Sequence, residues 1–226
     1  MLSKKPSFIT LTGADDTTDF NELCRLSEQY PSVEWAILSS SQRAGSGRYP
    51  SAEWIEKFSW ACPNVNRSLH LCGRDVDAFI AGEPALMKRL SRFDRVQLNF
   101  NQRRVPKDLE AIARRGEDLA QRIILQYNSA NAQACLTVQK YLPSVHILFD
   151  ASGGRGVSPT NWVPPVASAF CGYAGGLGPD NIASELLKIQ EAAGTASFWI
   201  DMEGKLRDAE DKFSIAVCEA VLSIVN

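Results

Sequence analysis

Short apolar runs rich in β-branched and aromatic residues recur along the chain, with polar, amphipathic stretches between them. The runs are SFITLT (7–12), VEWAILS (33–39), SLHLC (68–72), RVQLNF (95–100), RIILQY (122–127), VHILFD (145–150), AFCGYA (169–174) and SFWID (197–201). Each is the length of a strand and too short for a buried helix. The intervening stretches carry helical signals. PKDLEAIARRGEDLAQ opens with Pro106 and acids and aligns Leu109, Ile112 and Ala113 on one face. GPDNIASELLKIQEAAG opens at Pro179, spaces Ile182, Leu186 and Ile189 helically and stops at Gly194. A last helix, from about Asp211, aligns Ile215, Cys218 and Val221 or Leu222.

Strands alternating with helices predict parallel pairing through right-handed crossovers. Eight such units in 226 residues predict one α/β domain spanning 1–226, a (β/α)8 barrel of eight parallel strands at the small end of its size range. A doubly wound open sheet is the alternative, but no Gly-x-Gly-x-x-Gly follows the first run.

In such a barrel the active site lies at the carboxyl ends of the strands, and residues two apart share a face. If Asp150 faces the lumen, so do Leu148 and His146. The same parity puts Thr10 and Thr12, Gln97 and Asn99, Gln126 and Asn128, and Asp201 at the inner tops of their strands, with Val96 and Leu98 turned toward the helices. An apolar filler would be simpler at these positions unless something binds there. The alternative is a self-satisfied polar network capping the barrel.

Two glycine-rich loops follow late strands, SGGRG (152–156) and AGGLGPDN (174–181), the second running into a helix. Glycines let backbone N–H groups approach an anion, and barrels often hold phosphate at the loops after strands seven and eight. Gly154, Gly175, Gly176 and Gly204 are the candidate phosphate contacts. Lys205 and Arg207 can assist, whereas Glu203 would repel an anion unless it turns away.

Composition narrows the function classes. The chain is 45% hydrophobic and 22% charged, with net charge −2 and signs interspersed, so no basic nucleic-acid face is present. The uncharged run 156–179 is broken by prolines and glycines and does not suit a membrane helix, and MLSKKPSFITLTG lacks the apolar core of a signal peptide. The expectation is a cytoplasmic protein, monomer or homodimer, without cofactor. Six scattered cysteines without Cys-x-x-Cys, and only His70 and His146, argue against structural zinc and a disulfide framework and for free buried thiols. No strand run ends in lysine, which argues against a Schiff-base aldolase, and His70 and His146 lie too low in their strands for a metal-dependent epimerase.

Taken in order, ITLTG, GRYPSAEW (47–54), RVQLNF, ILFDASGGRGVSPTNW, GYAGGLGPDNI and WIDMEGKLRDAEDKF resemble the phosphoribosylanthranilate isomerase family nearly end to end. The resemblance implies a (β/α)8 fold and an Amadori rearrangement of an aminoaldose to an aminoketose. It implies Asp150 as general acid, Arg48 as clamp for the substrate carboxylate, and Gly175 and Gly176 as phosphate contacts. The family's strand-one cysteine, its general base, is Thr12 here, its neighbouring lysine is Thr10, and its strand-four histidine is Asn99. The serines after strand eight are Met202 and Glu203.

A threonine hydroxyl does not ionise near neutral pH, so Thr12 needs a helper, for which Asp15 and Asp16 are candidates. Two function classes follow. One is an aldose–ketose isomerase, an intramolecular oxidoreductase, acting on a phosphorylated sugar or related anionic metabolite. It would use Asp150 and Thr12 for proton transfer and Arg48, Asn99 and Asp201 for substrate contacts. The other is a catalytically inactive barrel that binds an anionic ligand in a regulatory role.

Overall fold

A computed structural model describes residues 4–100, 105–118 and 122–226. Eight parallel strands close into a barrel in sequence order: β1 (Ile9–Thr12), β2 (Val33–Ser39), β3 (Asn66–Cys72), β4 (Arg95–Asn99), β5 (Arg122–Tyr127), β6 (His146–Phe149), β7 (Cys171–Ala174) and β8 (Phe198–Met202). The ring closes where β1 pairs with β8, Thr10 opposite Asp201. Every run expected to be a strand is one.

The helices are α1 (Phe20–Gln29), α2 (Ala52–Ala61), α3 (Arg74–Ala81), α4 (Pro84–Leu90), α5 (Leu109–Asp118), α6 (Ala132–Tyr141), α7 (Ile182–Ala193) and α8 (Ile215–Val225). Asp19, Ser51 and Ser214 cap α1, α2 and α8 by accepting a first-turn N–H, which satisfies donors the helix cannot pair itself. Two expected boundaries move: α7 begins at Ile182 rather than Pro179, and α8 at Ile215 rather than near Asp211. The end of the run expected to form α5, 119–121, lies outside the described residues.

The eight units are not uniform. Two helices, α3 and α4, connect β3 to β4, whereas β6 and β7 are joined by an irregular segment without a helix. Pro164 and Pro165 sit mid-segment, and a proline removes a helical donor and biases its predecessor away from helix.

Strand parity divides the interior. Outward residues such as Ile9, Trp35, Leu69, Val96, Ile123, Ile147, Tyr173 and Phe198 form one large apolar cluster with the helices. The lumen is more polar. At its floor Arg95 donates to both Glu34 oxygens at 2.6 Å, and Thr10 donates to Glu34 at 2.9 Å. The guanidinium also lies over the rings of Phe8 and Trp199, at 4.7 and 4.6 Å. A second apolar cluster of Ile124, Leu148, Ala174 and Trp199 packs beside it, with Phe8 and Phe170 against its edge. Trp199 is fully buried, and a Cβ on Gly172 would fall 2.1 Å from its ring, so a side chain there would evict the indole.

The expectation of six free thiols needs correction. Cys24 on α1 and Cys62 at the end of α2 are paired, with Cα atoms 5.9 Å apart, and Cys72, Cys135, Cys171 and Cys218 are free. The pair joins neighbouring helices outside the barrel, a proximity that no spacing in the sequence signals.

Candidate active site at the mouth of the barrel

The carboxyl ends of the strands surround a cavity of about 870 Å³. Thr12, Arg48, Asn99, Asp150, Gly154, Gly175, Gly176, Asp201 and Gly204 all line it. Residues separated by nearly the whole chain thus meet in one place. They do so because each stands at or just past the top of a strand, or on the loop beyond it.

Thr12 and Asp201 form a polar pair in its wall. The Thr12 hydroxyl donates to Asp201 Oδ1 at 2.7 Å, across the β1–β8 seam. Asp201 is 5% exposed, and burial pushes its carboxyl well above the usual carboxylate range. Thr12's hydrogen bond opposes that shift, and the charges of Glu34 and Glu203 reinforce it. The group able to change protonation beside Thr12 is therefore Asp201. Asp15 and Asp16 do not fill that place: Asp15 is held by Thr17 and Arg207, and Asp16 by Ser51. Neither lines the cavity.

Asp150 is differently placed. Gln126 donates to its Oδ2 at 2.7 Å and the Gly154 N–H at 2.5 Å, while the Ser152 hydroxyl and N–H reach Oδ1 at 2.7 and 3.1 Å. All four partners act as donors, which ties the loop after β6 to the strand top. The Gly154 amide, expected to hold phosphate, is used here on Asp150.

Arg48 is also engaged. Its guanidinium meets Glu203 at 2.6 Å and Asp211 at 3.2 Å. Glu203 lines the cavity, so an acid of the chain itself occupies the clamp expected for a substrate carboxylate. Arg207, expected to help hold an anion, turns to Asp15 and Asp211, both at 2.8 Å. Asn99 accepts from Gln97 at 2.9 Å and points its own amide nitrogen at the Cys72 sulfur, 3.2 Å away. Asn128 lies beyond β5 and caps a turn by accepting from the Ala130 N–H.

Gly176 has φ +63° and lies under the β6–β7 segment. A Cβ there would stand 2.4 Å from Ser158 Oγ and 2.7 Å from its nitrogen. Gly175, at φ +118°, would meet the Val157 carbonyl at 2.8 Å. Close passage of another chain segment already requires both glycines. Gly204 has open space where a side chain would go.

Four polar side chains at this mouth lie outside the strand-parity reading: Arg43, Tyr49, Cys72 and Arg155. Arg43, Arg155 and Lys205 are exposed and have no ion pair among the described residues, leaving three unpaired positive charges at the rim. His70, expected to lie below the strand tops, nevertheless lines the cavity, and burial pushes its imidazole down to about 3. His146 sits at the floor, also pushed down to about 3 by burial and Arg95, with its ring edge-on to Phe170. Among the described residues no group of His, Cys, Asp or Glu is placed to hold a metal ion. No helix among them is long and apolar enough to cross a membrane.

No family model and no curated relative matches the chain. Solved structures do. The chain is similar to a phosphoribosylanthranilate isomerase from Thermotoga maritima, at 15% identity over 96% of this chain and 97% of that one, with a TM-score of 0.62. It is also similar to 3-hexulose-6-phosphate synthase from Salmonella typhimurium, at 9% identity over 96% and 98%, with a TM-score of 0.57. A mutant tryptophan synthase α-subunit from Pyrococcus furiosus matches at 13% identity over 98% and 100%, with a TM-score of 0.57. At these identities the likeness establishes the (β/α)8 fold.

Proposed function

We propose that the barrel is an isomerase-like enzyme that moves a proton on a phosphorylated sugar or related anionic metabolite, with Asp201 as the group that carries it. The observation behind this reading is the Thr12–Asp201 pair opening onto a polar cavity whose rim holds unpaired Arg43, Arg155 and Lys205. An aldose–ketose conversion removes a proton from the carbon beside a carbonyl or imine and returns one to its neighbour. A single carboxyl can do both if it changes protonation near the working pH. Desolvation raises the Asp201 carboxyl well above the usual carboxylate range, and Thr12 orients it by occupying one oxygen. Asp150, held by Gln126, Ser152 and Gly154, serves as the anchor of the loop after β6 rather than as the proton donor that the family resemblance implies. Asn99 remains a substrate contact in this reading, and no cofactor takes part.

The anion would sit between the loop at Gly204 and the rim cations Arg43, Arg155 and Lys205. Gly175 and Gly176 contribute only if the segment at Val157 and Ser158 leaves their amides reachable. In this reading the protein works in the cytoplasm as a monomer or homodimer. A similar structure, the Thermotoga maritima isomerase, is described as made monomeric from a dimeric enzyme.

The test is proton exchange. Aldose phosphates and phosphoribosylanthranilate are incubated with the protein in deuterated water, and deuterium at the carbon beside the carbonyl or imine is measured by mass spectrometry. Label incorporated by the wild type and abolished in Asp201→Asn, with ligand binding retained, supports the reading. Labelling that survives in Asp201→Asn but not in Asp150→Asn returns the proton to Asp150.

A second reading has its own observation. Arg48 is neutralised by two acids, and Asp150's hydrogen bonds are all internal, as expected of a barrel that binds an anion without transforming it. Saturable phosphate binding with no exchange on any substrate favours it.

A further inference from the structure

Two buried polar atoms in the cavity wall lack partners. They are His70 Nε2 on β3 and Gln97 Oε1 on β4, and both residues line the cavity. The two positions are register partners on adjacent strands, with His70 1% and Gln97 3% exposed. A buried polar group without a hydrogen bond is costly, typically by 1–3 kcal/mol, and a native protein seldom leaves two such groups side by side. Ser68 Oγ and Trp199 Nε1 are also unpartnered, but they lie lower and do not line the cavity.

We infer that the β3–β4 wall is a subsite for a neutral hydroxyl-bearing end of the ligand, which enters with its anionic end left at the rim. The inference rests on the anionic-metabolite reading above and adds a direction to it. The Gln97 amide already donates through Nε2 to Asn99, so its oxygen is the end left over, and that oxygen needs a donor. His70 is neutral, so Nε2 carries either a proton or a lone pair, according to tautomer. A hydroxyl has one proton to donate and lone pairs to accept with, so a single hydroxyl satisfies Gln97 Oε1 together with the Nε2–H tautomer of His70, and two neighbouring hydroxyls satisfy the other tautomer. A phosphate dianion or a carboxylate has no proton to give Gln97. An ammonium group would be desolvated above the Arg95 guanidinium, whose charge already acts on His70. The unpaired cations, Arg43, Arg155 and Lys205, are exposed at the outer rim of the cavity. Polarity therefore runs along the cavity axis, from neutral hydrogen-bonding groups at depth to positive charge at the rim, which is the polarity of a polyol phosphate.

The test uses ribose 5-phosphate and inorganic phosphate as paired probes, measured by calorimetry on wild type, His70→Phe and Gln97→Leu. Both variants should weaken ribose 5-phosphate on the order of tenfold, the loss of one or two buried hydrogen bonds, and leave inorganic phosphate unchanged. A readout on the unaltered protein guards against variants that fold poorly. The chain has only two histidines, so their ring nitrogens are resolved by NMR. Ribose 5-phosphate should move the His70 signals and leave those of His146 in place. Tight ribose 5-phosphate binding with an unmoved His70 and undiminished variants would overturn the subsite and leave the anion reading standing. Failure of the wild type to bind either probe at millimolar concentration would remove both.

Discussion

Thr12 and Asp201 stand at opposite ends of the chain, yet their side chains bond at 2.7 Å where the first and last strands close the ring. The pair joins a hydroxyl on one strand to a buried carboxyl on the adjoining one.

This pair makes a prediction about pH and stability. Burial raises the folded-state affinity of Asp201 for its proton above the unfolded value, so the folded protein keeps that proton longer as pH rises. The resulting stability is complete at low pH and is lost as pH climbs from the ordinary carboxylate range through the raised folded value. Asp201→Asn keeps an acceptor for Thr12 and cannot ionise. Its melting temperature should therefore gain on that of the wild type as pH rises above about 4. Parallel melting curves across that range would count against a retained proton.

At the floor of the lumen, Glu34 and Arg95 should show strong coupling. Removing one partner leaves the other charge buried and unpaired, so Glu34→Gln or Arg95→Met should each cost about 3–5 kcal/mol in urea denaturation. The double variant Glu34→Leu with Arg95→Met should recover most of that loss. A double variant as unstable as the sum of the singles would mean that the two residues act separately.

Releasing Arg48 should strengthen anion binding. Glu203 is about a third exposed, so its attraction to Arg48 is modest and a ligand competes with it. Glu203→Gln should bind inorganic phosphate roughly two- to fivefold tighter than wild type, with a steeper dependence on salt. Unchanged affinity would place the anion away from Arg48.

The Cys24–Cys62 link closes 38 residues of sequence, and its loss should destabilise the fold by about 2–4 kcal/mol. Thiol titration of the unreduced, denatured protein should find four reactive cysteines, rising to six after reduction, with a lower melting temperature in the reduced form. Six thiols before reduction would show that the two helices merely sit close. The same titration on protein from cells bears on the compartment, because such links are rare in reducing cytosol.

The ring of strands was legible because each is a short β-branched or aromatic run between turn signals, and period-two parity brought Thr12, Asn99, Asp150 and Asp201 to one cavity. Three features escaped that logic. Glu34 and Arg95 open apolar runs on β2 and β4, which are not neighbours, so their pairing appears only when the barrel curves and brings them together across the lumen. The missing helix between β6 and β7 was masked by the regularity of the strands on either side, although Pro164 and Pro165 argue locally against one. The tethering of Arg48 depends on a loop after β8 that folds back over the mouth, a long-range contact that no local pattern encodes.

The lumen is plugged from below. Trp199 seated against Gly172, with the Arg95 guanidinium over the rings of Trp199 and Phe8, fills the base of the barrel. Arrival and departure must then share one doorway. A molecule still lodged inside bars the next from entering, so exchange at the site is bounded by how quickly the mouth empties, and the bound species that leaves most slowly sets the pace.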